Sequence, residues 1–269
     1  MTEDDRPPIL ADKNYSAPSA FTPESLLREA RRQKSAALQS VPKVCLLDPD
    51  GDILRRLKSE GRARPHEGWV CYHTELFEFE ETGMTFGIVG CVVGSSFAVL
   101  VAEELFASGC ELLISMTSSG QIAPVQAPPY FILIDRALRD EGTSYHYMPP
   151  AAYSTAPKTL IESLEGAFDP LGVSVPRGAT WTTDAPFRET EAAIAAMRQR
   201  GLLAVEMEAA ALYAFAEARG KQVVCFAHIT NQMGQIEGDF EKGHADGSTD
   251  ALRIVVTAAK RLVGGFDQS

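Results

Sequence analysis

The sequence predicts an α/β fold: a single domain of three layers, α/β/α, around a central mixed β-sheet. Three observations carry this. Short runs rich in Val, Ile, Phe and Cys, bounded by Gly, Pro or Asp, read as strands. Longer helical patterns lie between several of them, and that alternation marks helices packed on a largely buried sheet. Nothing in the 269 residues marks a clean boundary between two domains.

Residues 1–22 are polar, carry Pro7, Pro8 and Pro18, and read as a mobile N-terminal arm, leaving 23–269 as the domain. Thr22-Pro23-Glu24-Ser25 opens a helix, with Thr22 as N-cap and Pro23 at the first helical position. The helix is expected over 24–38; its basic side reads as a solvated face. Strands are expected over 44–47, 71–80, 85–93, 112–116, 130–135 and 223–228. Helices are expected over 97–108, 157–170, 189–200, 208–219 and 248–263. The stretch 123–129 holds three prolines, so it reads as a loop at the sheet's rim. Residues 234–247, with Gly234, Gly238, Gly243 and Gly247 among charges, read either as a flap or as a plain surface loop. There is no internal repeat.

A net charge of −11 argues against a nucleic-acid backbone or an anionic membrane as partner. The five cysteines lack metal-ligand spacing, lie mostly in apolar runs and read as small core residues. His66, His73, His146, His228 and His244 form no metal cluster by spacing, so no metal is expected. His228 reads as a satisfied strand-end residue, and His146 as either a pocket-lining or a surface residue. No signal peptide and no membrane-length apolar run is seen, which makes the cytoplasm the expected compartment.

The most informative stretch is Ala204-Val205-Glu206-Met207-Glu208-Ala209-Ala210-Ala211-Leu212-Tyr213. It sets two carboxylates around a Met, just before an Ala-rich helix. A carboxylate at a helix N-terminus is favoured in its charged form, and a charged carboxylate only accepts hydrogen bonds. Such a pair is suited to grip two sugar hydroxyls, with Met207 as an apolar face. Two solvated glutamates at a helix start is the alternative.

This stretch closely resembles the ribose-binding segment of the nucleoside phosphorylase family, in its uridine phosphorylase and hexameric purine nucleoside phosphorylase branch. Val44-Cys45-Leu46-Leu47-Asp48-Pro49-Asp50 resembles the family's first strand and Gly-Asp-Pro turn. Gly94-Ser95-Ser96, with the helix after it, resembles its glycine turn. Leu113 to Gly120 resembles a strand ending in a Gly-Thr-x-Gly-type loop, Thr182 to Thr190 the base-side loop, and His228-Ile229-Thr230-Asn231 the start of the last functional loop. The resemblance spans roughly residues 40–265.

What the resemblance implies is cleavage of a nucleoside's N-glycosidic bond, most directly by phosphorolysis to free base and (deoxy)ribose 1-phosphate. Inorganic phosphate would be the co-substrate, with no cofactor, in a homo-oligomer that is a dimer or a trimer of dimers. Glu208 would accept the ribose hydroxyls, Met207 would pack on the ribose, and Glu206 would face the base. Ser118, Ser119 and Gly120 would line the substrate. Ser118 and Gly94 would mark the phosphate-or-water site. Asn231 falls where purine-specific relatives carry a proton-donating Asp, and an amide supplies a hydrogen bond but no proton. Thr190 and Ala192 fall at the uracil-gripping positions. Arg188 either reaches that place or pairs with Glu189 or Glu191. Phe187 either stacks on a base or joins the core. Asp184 reads as a cap of its loop or of the following helix.

At the phosphate positions the sequence departs from the family. Leu47 stands for Gly, Gly51 or Asp52 for one Arg, Ser115 for a second, and Tyr72 or His73 for a third, while Arg55 and Arg56 are weak substitutes. Asp48 and Asp52 flank the place of a dianion, which like charges repel. Two alternatives to phosphorolysis therefore stand: a hydrolytic nucleosidase using water, and a non-catalytic nucleoside-binding protein.

Overall fold

The computed structural model describes residues 7–233 and 237–266. In chain order the elements are α1 (Pro23–Lys34), β1 (Val44–Asp48), α2 (Asp52–Ser59), β2 (Arg64–Pro65), β3 (Phe77–Glu81), β4 (Met84–Gly90), α3 (Ser95–Ala107), β5 (Leu112–Gln121) and β6 (Tyr130–Asp140). They continue with α4 (Ser144–Tyr147), β7 (Tyr153–Thr155), α5 (Lys158–Ser163), β8 (Arg177–Thr183), α6 (Glu191–Gln199), β9 (Ala204–Glu206), α7 (Ala209–Arg219), β10 (Gln222–Asn231) and α8 (Ser248–Phe266).

The α1 start is as expected: the Thr22 side chain accepts the Ser25 N–H and Pro23 follows the cap. The helix stops at Lys34, short of 38, because Ser35 turns left-handed at φ 51°. The expected strand over 71–80 shrinks to β3. Lys34 Nζ donates to the carbonyls of Val70 and Cys71, which a ladder would need, and the Trp69 indole bonds Thr74 across a turn. The helix expected over 157–170 reduces to α5, since Gly166 turns left-handed (φ 68°) ahead of Pro170. Strands β5 and β6 outrun their apolar runs. β7, β8 and β9 had no counterpart in the sequence reading.

The sheet runs β10-β6-β8-β9-β5-β1-β4-β3-β2, and β10 also pairs with β5, so five strands close on themselves. β4, β1, β5 and β10 are parallel neighbours, while β6 on β10 and β9 on β5 are antiparallel. The sheet is therefore mixed, as expected. Helices α1, α3, α4 and α7 form one packed group and α2, α5 and α8 the other, covering its two faces. Leu46, Leu47, Ile88, Ile114 and Phe226 are fully buried between them. The Tyr213 hydroxyl donates to the Ile134 carbonyl (2.6 Å) and accepts the Cys225 N–H (3.0 Å), which pins α7 to the sheet.

One feature of the register makes a crevice. β1 follows β5 only as far as Leu47 opposite Ser115. Beyond that point β5 stays with β10 and reaches β9 at Gly120. The two strands part at their carboxyl ends, where an open α/β sheet offers room for a ligand. Residues 13–19 of the N-terminal segment lie against α4 and α7, through Lys13 with His146, Tyr15 with the Tyr145 carbonyl, and Ser19 with Arg219.

Candidate functional site

β9 and the first turn of α7 bring the two motif glutamates to one end of this crevice. Both are buried, with 3% of Glu206 and 1% of Glu208 exposed, so the solvated alternative does not hold. Their roles differ. Glu206 Oε2 accepts the N–H groups of Glu208 and Ala209, each at 2.7 Å. Its Oε1 accepts the hydroxyls of Thr180 (3.0 Å) and Thr182 (2.5 Å). Four donors fill the acceptor capacity of a carboxylate. Glu206 is thus the cap of α7, and the expectation that it faces the base is corrected: no lone pair remains for a ligand.

Glu208 lies between the glycine turn and β5. Its Oε1 accepts the Gly94 N–H (2.7 Å), and its Oε2 accepts the Thr117 hydroxyl (2.9 Å) and the Met207 N–H (3.3 Å). Gly94 precedes α3 at φ 92°, a conformation that suits glycine and turns this N–H toward Glu208. Ser95 holds the Met207 carbonyl at 2.7 Å. Burial first, and then the Glu206 charge, push Glu208 up to about 8. The expectation of a carboxylate kept ionised by the helix end is corrected, because desolvation outweighs the dipole. Burial raises Glu206 as well, while its four donors favour the charged form.

At the other end the Asp48-Pro49-Asp50-Gly51-Asp52 turn faces the β5 loop. Asp48 is buried, its Oδ2 accepts the Leu54 N–H at 2.9 Å, and burial pushes it up to about 7. Asp50 Oδ2 accepts the Ser118 N–H at 2.7 Å, and burial raises Asp50 too. Asp52 pairs with Arg55 and, at 2.5 Å, with Lys242 Nζ. The Asp52 and Asp50 carboxylates hold Lys242 above its usual range against burial, which pulls it down. Arg56 turns away, to Glu60 and Thr249. Ser115, at one of the arginine positions of the resemblance, is a buried strand residue opposite Leu47, whereas the Arg55 guanidinium lies against Gly51, at another.

On the base side, Asn231 Oδ1 accepts the Met233 N–H (2.9 Å) and its amide donates to the Thr230 hydroxyl (3.1 Å). A Cβ on Gly120 would meet the Met233 sulfur, the far end of a flexible side chain, which would have to move aside. Ser119 is buried, and the Ser118 and Thr230 hydroxyls hydrogen-bond to each other at 2.9 Å. Phe187 is 99% exposed, so it is no core residue. Arg188 is exposed and forms no ion pair with Glu189 or Glu191 among the described residues. Thr190 caps α6, whereas Asp184 accepts the Gly142 N–H (2.8 Å) and so fastens the loop after β6 instead of capping a helix. His228 stacks on Phe131, with its ring Nε2 buried. His146 is exposed and meets Lys13.

Part of the expected flap, 234–236, lies outside the described residues. The rest folds back over β10. Asp239 accepts the Gln232 N–H, Glu241 N–H donates to the Thr230 carbonyl (2.7 Å), and Lys242 reaches Asp52. Among the described residues no group of three or more His, Cys, Asp or Glu is gathered for a metal ion.

A parted pair of parallel strands, a buried carboxylate on α7 and a glycine turn facing it form one constellation. The family model described as "Phosphorylase superfamily" matches residues 43–265. The chain belongs to the phosphorylase superfamily. A uridine phosphorylase of Thermococcus kodakarensis is 27% identical over 202 residues, 68% of this chain and 71% of that one. A guanosine phosphorylase of Halorubrum lacusprofundi is 24% identical over 191 residues, 68% and 78% of the two chains. The crystal structure of uridine phosphorylase from Vibrio fischeri ES114 with 6-hydroxy-1-naphthoic acid aligns at a TM-score of 0.70 and 19% identity. That alignment covers 87% of this chain and 99% of the other, which bears out the fold.

Within the phosphorylase fold, the sequence reading missed Thr117, Asp50 and Lys242. Thr117 stands where the loop pattern has glycine, a signal that was present. Lys242 sits in a charged, glycine-rich segment with no pattern to link it to the first strand.

Proposed function

We propose that this chain cleaves the N-glycosidic bond of a nucleoside with water as the nucleophile, a hydrolase on the phosphorylase fold. The observation that carries the reading is the hydrogen bond from the Ser118 N–H to Asp50. A half-buried carboxylate thereby stands on the backbone N–H of Ser118, the residue whose hydroxyl the resemblance assigns to phosphate. Both nearby cations, Arg55 and Lys242, are engaged by Asp52. A phosphate dianion arriving there meets carboxylates; water does not.

In this mechanism Glu208 holds the sugar through a hydroxyl, beside Met207 and Gly94. As the C1′–N bond lengthens, positive charge builds on the sugar ring. A water oxygen bonds to C1′ and passes its proton to Asp50, a carboxylate that burial makes more basic than a free one. The base leaves with the bonding electron pair and takes a proton from solvent, since Asn231 offers a hydrogen bond only. The products are free base and free pentose.

Phosphorolysis is the second reading. The names of the relatives, uridine phosphorylase and guanosine phosphorylase, favour it. Lys242 and Arg55 would then leave Asp52 to hold phosphate, and the enzyme would be a pentosyltransferase without a cofactor. Either reading includes a homo-oligomer, in which a second copy covers the exposed Val93, Leu100 and Tyr72 beside the glycine turn and α3. The five free cysteines fit a reducing, cytoplasmic compartment.

The test is base release from a panel of purine and pyrimidine nucleosides, with and without phosphate, by wild type and Glu208→Ala. Wild type is expected to release base without phosphate, and Glu208→Ala to lose about a hundredfold or more in kcat/KM. Release only with phosphate selects the second reading. Wild-type rates in Glu208→Ala remove the sugar anchor from both.

A further inference from the structure

Glu208 has fewer acceptor positions open than a sugar diol requires. The two oxygens of a carboxyl group offer about four hydrogen-bonding positions, one of them a donor when the group holds its proton. Three are taken by the chain itself: one on Oε1 by the Gly94 N–H, and two on Oε2 by the Thr117 hydroxyl and the Met207 N–H. The two backbone donors are fixed by the glycine turn and by the start of α7. The third is a side chain, and the Thr117 hydroxyl gives its one proton to Glu208 at 2.9 Å in preference to the Ser118 carbonyl at 3.4 Å. Thr117 is itself buried, so neither hydroxyl nor methyl swings out to solvent. The loop pattern it interrupts has glycine there, with neither bulk nor donor.

Resting on the nucleoside reading above, we propose that Thr117 stands in for one sugar hydroxyl on Glu208 and that the site selects 2′-deoxynucleosides over ribonucleosides. A pentose with both hydroxyls brings two groups to the one remaining position on Glu208. One donor then stays unpaired in a buried place, or Thr117 loses its partner; either costs a buried hydrogen bond. A 2′-deoxypentose brings a single hydroxyl, and the missing oxygen leaves space for the Thr117 side chain. Discrimination built on a hydrogen bond that cannot be paired is stronger than discrimination by size alone.

The experiment compares kcat/KM for uridine against 2′-deoxyuridine and guanosine against 2′-deoxyguanosine, in wild type, Thr117→Ser and Thr117→Ala. Wild type is expected to prefer the deoxynucleoside by about tenfold or more. Thr117→Ser keeps the hydroxyl and keeps the preference. Thr117→Ala frees the acceptor and the space, and the ratio falls toward one or reverses. Equal use of both sugars by wild type, or the same ratio in Thr117→Ala, overturns the proposal. Titration calorimetry with the same four nucleosides separates this failure from that of the cleavage reading. Tighter binding of the deoxynucleoside, lost in Thr117→Ala, upholds the role of Thr117 even where no base is released. Binding of none of the four overturns both.

Discussion

Glu206 and Glu208 lie almost wholly out of solvent, each held by three or four donors from β5, β8, α7 and the glycine turn. Asp50, Asp52 and Lys242, at the opposite end of the crevice, are partly exposed and held chiefly by ion pairs and the Ser118 N–H. A buried carboxylate that loses a donor leaves an uncompensated charge, which makes the first end stiff and intolerant. Partly exposed ion pairs contribute little to stability and are screened by salt, which leaves the second end free to rearrange around a nucleophile. On the proposed reading, binding precision belongs to the first cluster and chemical adaptability to the second, and the two meet at the adjacent Thr117 and Ser118 of β5.

The largest expected effect falls on the adaptable cluster. Asp50→Asn keeps an acceptor for the Ser118 N–H but takes no proton. It is expected to lower kcat by about a thousandfold with KM little changed, and to remove the acid limb of the pH–rate profile. An unchanged profile would mean that Asp50 only shapes the loop. In the stiff cluster, Glu206→Gln turns an NH2 group toward donors that need an acceptor. A loss of about 3 kcal/mol in urea unfolding is expected, with activity falling only as far as folding does. A variant of normal stability with an altered KM would return Glu206 to the ligand.

Two smaller effects sharpen the contrast. Asp48 is raised from 3.8 to about 7 by burial, so the folded chain binds its proton more tightly than the unfolded chain does. Stability from this group is full below about pH 4 and declines as pH rises toward 7. Asp48→Asn removes that decline. Its Tm, read by calorimetry, is expected to match wild type at pH 4 and to exceed it by about 3 °C or more at pH 8. A constant difference at both pH values would assign the effect to packing. Lys242→Ala is expected to cost about tenfold or less in rate, most at low salt, because its partner Asp52 is open to screening. A raised KM for phosphate in this variant would instead mark Lys242 as a phosphate ligand.

The two clusters also differ in how much of them the sequence reveals. Glu206, Met207 and Glu208 are contiguous and abut an Ala-rich helix, so the motif could be read from one line of sequence. Which glutamate caps and which binds could not be, because Thr180 and Thr182 come from β8, a strand whose mixed Arg177–Thr183 composition shows no clear alternation. The adaptable cluster joins Asp50, Ser118 and Lys242, residues that only the parting of β1 from β5 and the return of 237–247 over β10 bring together. The sheet's centre was legible for the same reason as the motif: β1, β4 and β10 are apolar runs bounded by turn residues. Polar continuations such as Thr117–Gln121 in β5 extend past that signal, because they pair in the closed part of the sheet while lining the site.

The most direct test of water at the Asp50 cluster is the rate of base release from a cleaved nucleoside as phosphate is raised from none to saturation, with the sugar product identified at each point. Hydrolysis predicts a rate independent of phosphate and free pentose throughout. A rate that is zero without phosphate, saturates with it and yields pentose 1-phosphate would contradict it.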